Sequence, residues 1–147
     1  MGQYHHLLNI DKHEFVSPHG IGLGLKQREH AGVIAGLDTV LYILVSASNH
    51  RGGGDFDSSG ESPDFKVFGR WCGDRVVVIG DYTEDGDIPG VENASELYGD
   101  ETVTDITDQI IPAFEVALGV KIDMNSHGWR ERHLDPQEWG WLTGDKE

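Results

Sequence analysis

The chain has 147 residues, with 26 acidic against 11 basic side chains and a formal net charge of −15. That balance excludes direct binding to nucleic acid or an anionic membrane, because attraction to phosphate drives both. No apolar run approaches the roughly 18 residues a membrane span needs, and hydrophobic content of 37% is that of a globular protein, so a single domain over residues 1–147 is expected.

Gly2–Ile10 reads as a strand, with Tyr4, His6, Leu8 and Ile10 alternating with Gln3, His5, Leu7 and Asn9. Asp11-Lys12 reads as a turn and His13–Val16 as a short returning strand. Ser17-Pro18-His19-Gly20 breaks it. The glycines from Gly20 to Gly24 lack the spacing of a dinucleotide loop and read as a tight turn. Five of the eight histidines lie early: His5, His6, His13, His19 and His30. They lack the spacing of a metal site and read as a scattering. His19 is retained as a binding candidate, because a Pro-Gly turn is where side chains are often presented.

Gly36–Ser48 is the first helix. Leu37, Val40, Leu41, Leu44 and Val45 form one apolar face, and Tyr42 and Ile43 widen it, so burial on more than one side is expected. A loop follows, opened by Arg51, Gly52, Gly53 and Gly54. It reads as a slack connector or, with Arg51 beside the glycine N–H groups, as an anion pocket.

Lys66–Cys72 and Arg75–Tyr82 read as a central β-hairpin around Gly73-Asp74. Val76–Ile79 is apolar on both faces and predicts a strand covered on both sides. Cys72, the only cysteine, is expected to be a buried, inert thiol in the first strand. Trp71 and Asp74 at this turn join the binding candidates. Asp74, Asp81, His19 and Glu29 are loose acid–base candidates.

The strand runs into an acidic loop. With Asp81 as position 1, Thr83 is position 3, Asp85 is 5, Gly86 is 6, Asp87 is 7 and Glu92 is 12. Alternating oxygen donors, a turn glycine and a terminal Glu are what a Ca²⁺ or Mg²⁺ site of this type needs. Thr83 at position 3, Pro89-Gly90 at positions 9 and 10, and entry from a strand instead of a helix depart from the pattern. An acidic, solvated turn is the other reading, and both stand.

Pro89–Glu101 is a polar connection with one helical turn at Ala94–Tyr98. Asp105–Leu118 is the second helix, with Thr104 as N-cap, Pro112 loosening it and Gly119 as C-cap. Val120–Met124 returns as a strand. Residues 125–147 form a tail carrying Trp129, Trp139 and Trp141, expected to dock on the core. The fold class expected is α+β: a mostly antiparallel sheet with a central β-hairpin, packed against two main helices.

The charge is lopsided. Residues 1–80 hold 7 basic and 9 acidic side chains, whereas residues 81–147 hold 4 and 17. Asp81–Asp108 has ten carboxylates and no Lys or Arg. Such a face steers toward basic partners or cations; solubility or salt adaptation is the blander account.

Three stretches carry a resemblance: GQYHHLLNIDKHEFVSPHGIGLGLK at Gly2–Lys26, GGGD after the first helix, and GRWCGDRVVVIGDY at Gly69–Tyr82. Over roughly residues 2–85 the chain resembles a small uncharacterised protein family of actinobacteria and their phages. The resemblance implies a phage or mobile-element origin and no particular activity. In that setting the expected function is an acidic binding protein in the cytoplasm (the host's, if phage-encoded). It would act as inhibitor or decoy on a basic host protein or a small nucleotide signal, and an oligomer is compatible with this. The alternative is a metal-dependent hydrolase or a cation- or nucleotide-binding protein built on residues 81–92.

Overall fold

The computed structural model describes residues 3–23, 36–47, 67–99, 101–124, 126–128 and 130–134. In chain order these form strands β1 (His5–Asn9) and β2 (Glu14–Val16), a 3-10 turn (Pro18–Ile21), helix α1 (Leu37–Val45) and strand β3 (Val76–Gly80). A 3-10 turn (Ala94–Glu96), strand β4 (Thr104–Asp105), helix α2 (Thr107–Leu118) and strands β5 (Val120–Met124) and β6 (Arg130–Leu134) complete them. The fold is α+β. One sheet has four strands in the order β3-β1-β2-β4, and β5-β6 is a separate two-stranded ribbon. The larger sheet is mixed, since β2 and β4 run parallel while the other pairs are antiparallel.

Strand alternation sends Leu7 and Val16 to one face of the sheet and Leu8, Ile10 and Phe15 to the other. The first face meets both helices through Val40, Ile43, Leu44, Ile110, Ala113 and Phe114. The second face packs with Ile79, Leu97 and Val103. The central hairpin is therefore β1–β2, covered on both sides.

The hairpin expected at residues 66–82 does not form. Val67–Gly73 is a run of turns, and two of its N–H groups serve helix α1 instead. Gly69 N–H donates to the Ile43 carbonyl (3.0 Å) and Trp71 N–H to that of Leu44 (2.8 Å). Helix ends leave such carbonyls without intrahelical donors. Cys72 accordingly lies exposed in a turn, not buried in a strand. Among the described residues β3 pairs only with β1, which puts it at the edge of the sheet, and Val78 is 45% exposed. Helix α1 is buried on one face only, with Tyr42 63% exposed.

Gly69 has φ of 77°, and a Cβ there would stand 2.7 Å from the Ser46 carbonyl oxygen. Gly69→Ala should cost about 1–3 kcal/mol through left-handed strain and this collision. An unchanged urea midpoint would contradict this capping geometry.

Thr104 is not the N-cap of α2, because Thr104 and Asp105 pair with Glu14 and Phe15 as β4. Asp105 Oδ1 instead accepts from the Thr107 N–H (2.8 Å). Thr107 Oγ1 accepts from the Ser17 N–H (2.8 Å), tying the helix to the turn after β2. Pro112 lies inside an unbroken α2, and Gly119 closes it in the left-handed conformation (φ 65°). Arg130–Leu134, read as tail, is β6 and pairs with β5. Trp129, Trp139 and Trp141 lie outside the described residues.

Candidate functional site

Within residues 81–108, the described residues up to Val103 form a layer over the second core, and β4 and the first turn of α2 follow. The chain leaves β3 by a tight turn in which Thr83 N–H donates to the Gly80 carbonyl (3.1 Å) and Thr83 Oγ1 accepts from Gly80 N–H (3.0 Å). Asp81 N–H donates to the Tyr4 carbonyl, and Asp81 Oδ1 accepts from the Tyr4 N–H, both at 3.0 Å. Asp87 Oδ2 accepts from Glu84 N–H (2.9 Å). Asp85 Oδ1 accepts from the hydroxyl (2.7 Å) and N–H (3.0 Å) of Ser95, and these bonds hold its carboxyl below the ordinary carboxylate range. Ile88, Val91, Leu97, Tyr98 and Val103 point inward and close the second core. The segment read as a polar connection is thus the lid of that core.

The outer side carries the charge. Asp81, Glu84, Asp85, Asp87, Glu92, Glu96, Glu101, Asp105 and Asp108 are all exposed. Asp108 pairs with Arg130 (2.8 Å). Among the described residues the other eight have no basic partner. Nor, among the described residues, do three or more His, Cys, Asp or Glu side chains cluster as a metal would require.

His19 lies in a cleft of about 270 Å³ with Ser17, Asp105, Thr107, Asp108 and Arg130. Arg130 is held by Asp108 and by the Gly20 carbonyl (3.0 Å), so its charge is compensated. The cleft offers hydroxyls, an imidazole and carboxylates, but no excess positive charge to draw an anion. A larger cleft of about 490 Å³ lies between the β1–β2 turn and the acidic layer, lined by His13, Arg75, Glu92, Asn93 and Glu96 among others. Arg75 is engaged by Asp11 through its backbone N–H (2.7 Å) and its Nε (3.0 Å).

Trp71 and Asp74 each join polar side chains of the β1–β2 hairpin. Trp71 is wholly buried, and its Nε1–H donates to Glu14 Oε1 (2.9 Å). Arg70 grips the same carboxylate through Nε to Oε1 (3.0 Å) and through its terminal nitrogen to Oε2. Burial pushes the Glu14 carboxyl up. The bonds from Arg70 and Trp71 outweigh it, leaving the pKa below its ordinary 4.5. Asp74 Oδ2 accepts from Asn9 Nδ2 (2.8 Å) and from Lys12 Nζ, and these bonds lower its pKa. Both residues therefore have structural partners.

Of the other expected residues, Glu29, His30 and the Arg51–Gly54 loop lie outside the described residues. His6 is stacked between Phe15 and Tyr98, with ring centroids 4.5 and 4.4 Å away. Glu14, Arg70, Thr107 and Arg130 escaped the sequence reading. Their partners are 56 to 110 residues distant for Glu14–Arg70, Ser17–Thr107 and Gly20–Arg130, and no local spacing signals such pairs. Compared with known proteins, the chain matches no family model, no curated protein and no solved structure.

Among the described residues no helix is long and apolar enough to cross a membrane.

Proposed function

We propose that the protein acts by binding, and that a basic protein partner is received on the acidic layer of residues 81–108. One observation carries this reading: eight exposed carboxylates there lack a basic partner among the described residues, and the segment holds no Lys or Arg. Like charges fixed on one surface raise the local potential and draw in a surface of opposite sign. A nucleotide signal fits this layer less well, because its phosphates would be repelled. The protein would work in the cytoplasm as an inhibitor or decoy, covering a basic surface that normally meets a polyanion. A phage or mobile-element origin, implied by the resemblance over residues 2–85, suits that role.

The test separates charge from folding. Asp85 and Asp87 hold the loop together, so reversing them would alter structure as well as charge. The side chains of Glu84, Glu92 and Glu96 are exposed and, among the described residues, form no hydrogen bond. Binding of a deca-lysine peptide, followed by calorimetry, should weaken steeply with added salt. It should fall at least about tenfold in the variant Glu84→Lys/Glu92→Lys/Glu96→Lys. Binding that survives both high salt and this reversal contradicts the electrostatic reading.

A further inference from the structure

The register of β3 leaves a hydrogen-bonding edge facing outward. Ile10 N–H donates to the Arg75 carbonyl (2.9 Å) and Asp81 N–H to the Tyr4 carbonyl (3.0 Å). In an antiparallel ladder the backbone groups of alternate residues face the same neighbour. Residues 75, 77, 79 and 81 therefore turn theirs toward β1, while Val76, Val78 and Gly80 turn theirs away. Thr83 satisfies both outward groups of Gly80. Val76 and Val78 each keep an N–H and a C=O on the open side, and among the described residues no strand pairs there.

The strand itself carries none of the usual sequence protections of an edge. Val76–Ile79 contains no charge and no proline, and its pairing with β1 runs without a bulge. Its surroundings are apolar and then acidic. Val78 is 45% exposed, and Tyr4 and Tyr82 at its far end are 41% and 52% exposed. In the chain the strand is followed by the exposed carboxylates of Asp81 and Glu84.

We infer that the outer edge of β3 receives an extended segment of the basic partner, which adds a strand beside Val76–Val78 and sets Lys or Arg side chains against Asp81 and Glu84. The inference rests on the acidic-layer reading and names how that partner docks. Main-chain hydrogen bonds supply affinity in strand addition, and flanking side chains supply selectivity. Charge decides the occupant. A second copy of this chain would bring another −15 to the same edge, whereas a basic strand is attracted to it.

Two peptides of equal charge test this. One alternates lysine and valine over eight residues. The other has the same sequence with alternate backbone nitrogens methylated on its pairing edge, so it cannot extend a sheet. The first should bind the native protein about tenfold more tightly, and slow amide exchange at Val76 and Val78. Val78→Pro should abolish the difference, since the lost N–H points outward and the β1 pairing is spared. If that variant fails to fold, the two peptides on native protein still decide the matter. Equal binding of both peptides overturns strand addition and leaves the acidic-layer reading standing. Binding of neither overturns both. A native dimer in sedimentation that Val78→Pro renders monomeric also overturns it, since a second copy would then occupy the edge.

Discussion

Trp71→Ala is expected to lower stability by about 3–5 kcal/mol, the range for deleting a large aromatic side chain from a packed core. Trp71 is wholly buried among Val16, Ile43, Leu44 and Phe114 in the cluster between sheet and helices. Two effects add. The ring leaves a cavity, and Glu14 Oε1 loses the Nε1–H donor. Trp71→Phe separates them. It keeps an aromatic ring but removes the N–H, and should cost about 1–3 kcal/mol from the missing bond and the smaller ring. Denaturant titration of the three proteins checks the ranking. A loss below about 1 kcal/mol for Trp71→Ala would place the ring outside the core.

Glu14→Ala is the second large effect, at about 2–3 kcal/mol, because it removes the acceptor for both Arg70 and the Trp71 indole. Arg70 is partly exposed and recovers water, which keeps the loss below that of a fully buried pair broken on one side. The same group gives a pH signature. Its folded pKa is depressed below 4.5, so its contribution is complete above pH 4.5 and is lost as pH falls through the lower folded value. Acidification also relieves repulsion among the surplus carboxylates, which acts in the opposite direction. Comparing native protein with Glu14→Gln cancels that shared effect. Native stability should fall more steeply below pH 4.5 than that of Glu14→Gln. Parallel slopes would mean that Glu14 is not held as its hydrogen bonds imply.

Elements with a regular period were readable from the sequence. The alternation at residues 5–9, the apolar stripe of α1 and the Ile110–Phe114 stripe ending at Gly119 each survive, with trimmed ends. What misled was local resemblance without its partner. Val67–Cys72 has strand-like residues, yet the N–H groups of Gly69 and Trp71 cap α1, with Gly69 at positive φ. Val76–Ile79 reads as doubly buried because all four residues are β-branched, yet the strand is at the edge and Val78 faces solvent. In the acidic layer the inward residues Ile88, Val91, Leu97 and Val103 fall at irregular intervals, matching neither helical nor strand period. Its carboxylates were visible as charge, but their loop-stapling bonds were not. His19 was singled out for its turn. Arg130, beside it in the same cleft, comes from a strand hidden in what looked like tail.

The central functional claim is that the placement of charge matters, not its total. The most direct measurement compares two charge-matched variants for deca-lysine binding. One is Glu84→Lys/Glu92→Lys in the acidic layer. The other is Asp123→Lys/Glu131→Lys on the β5–β6 ribbon. Both carry the same net charge. Weaker binding confined to the first is the predicted result. Equal weakening in both would contradict the account and reduce the acidity to a property of the whole surface.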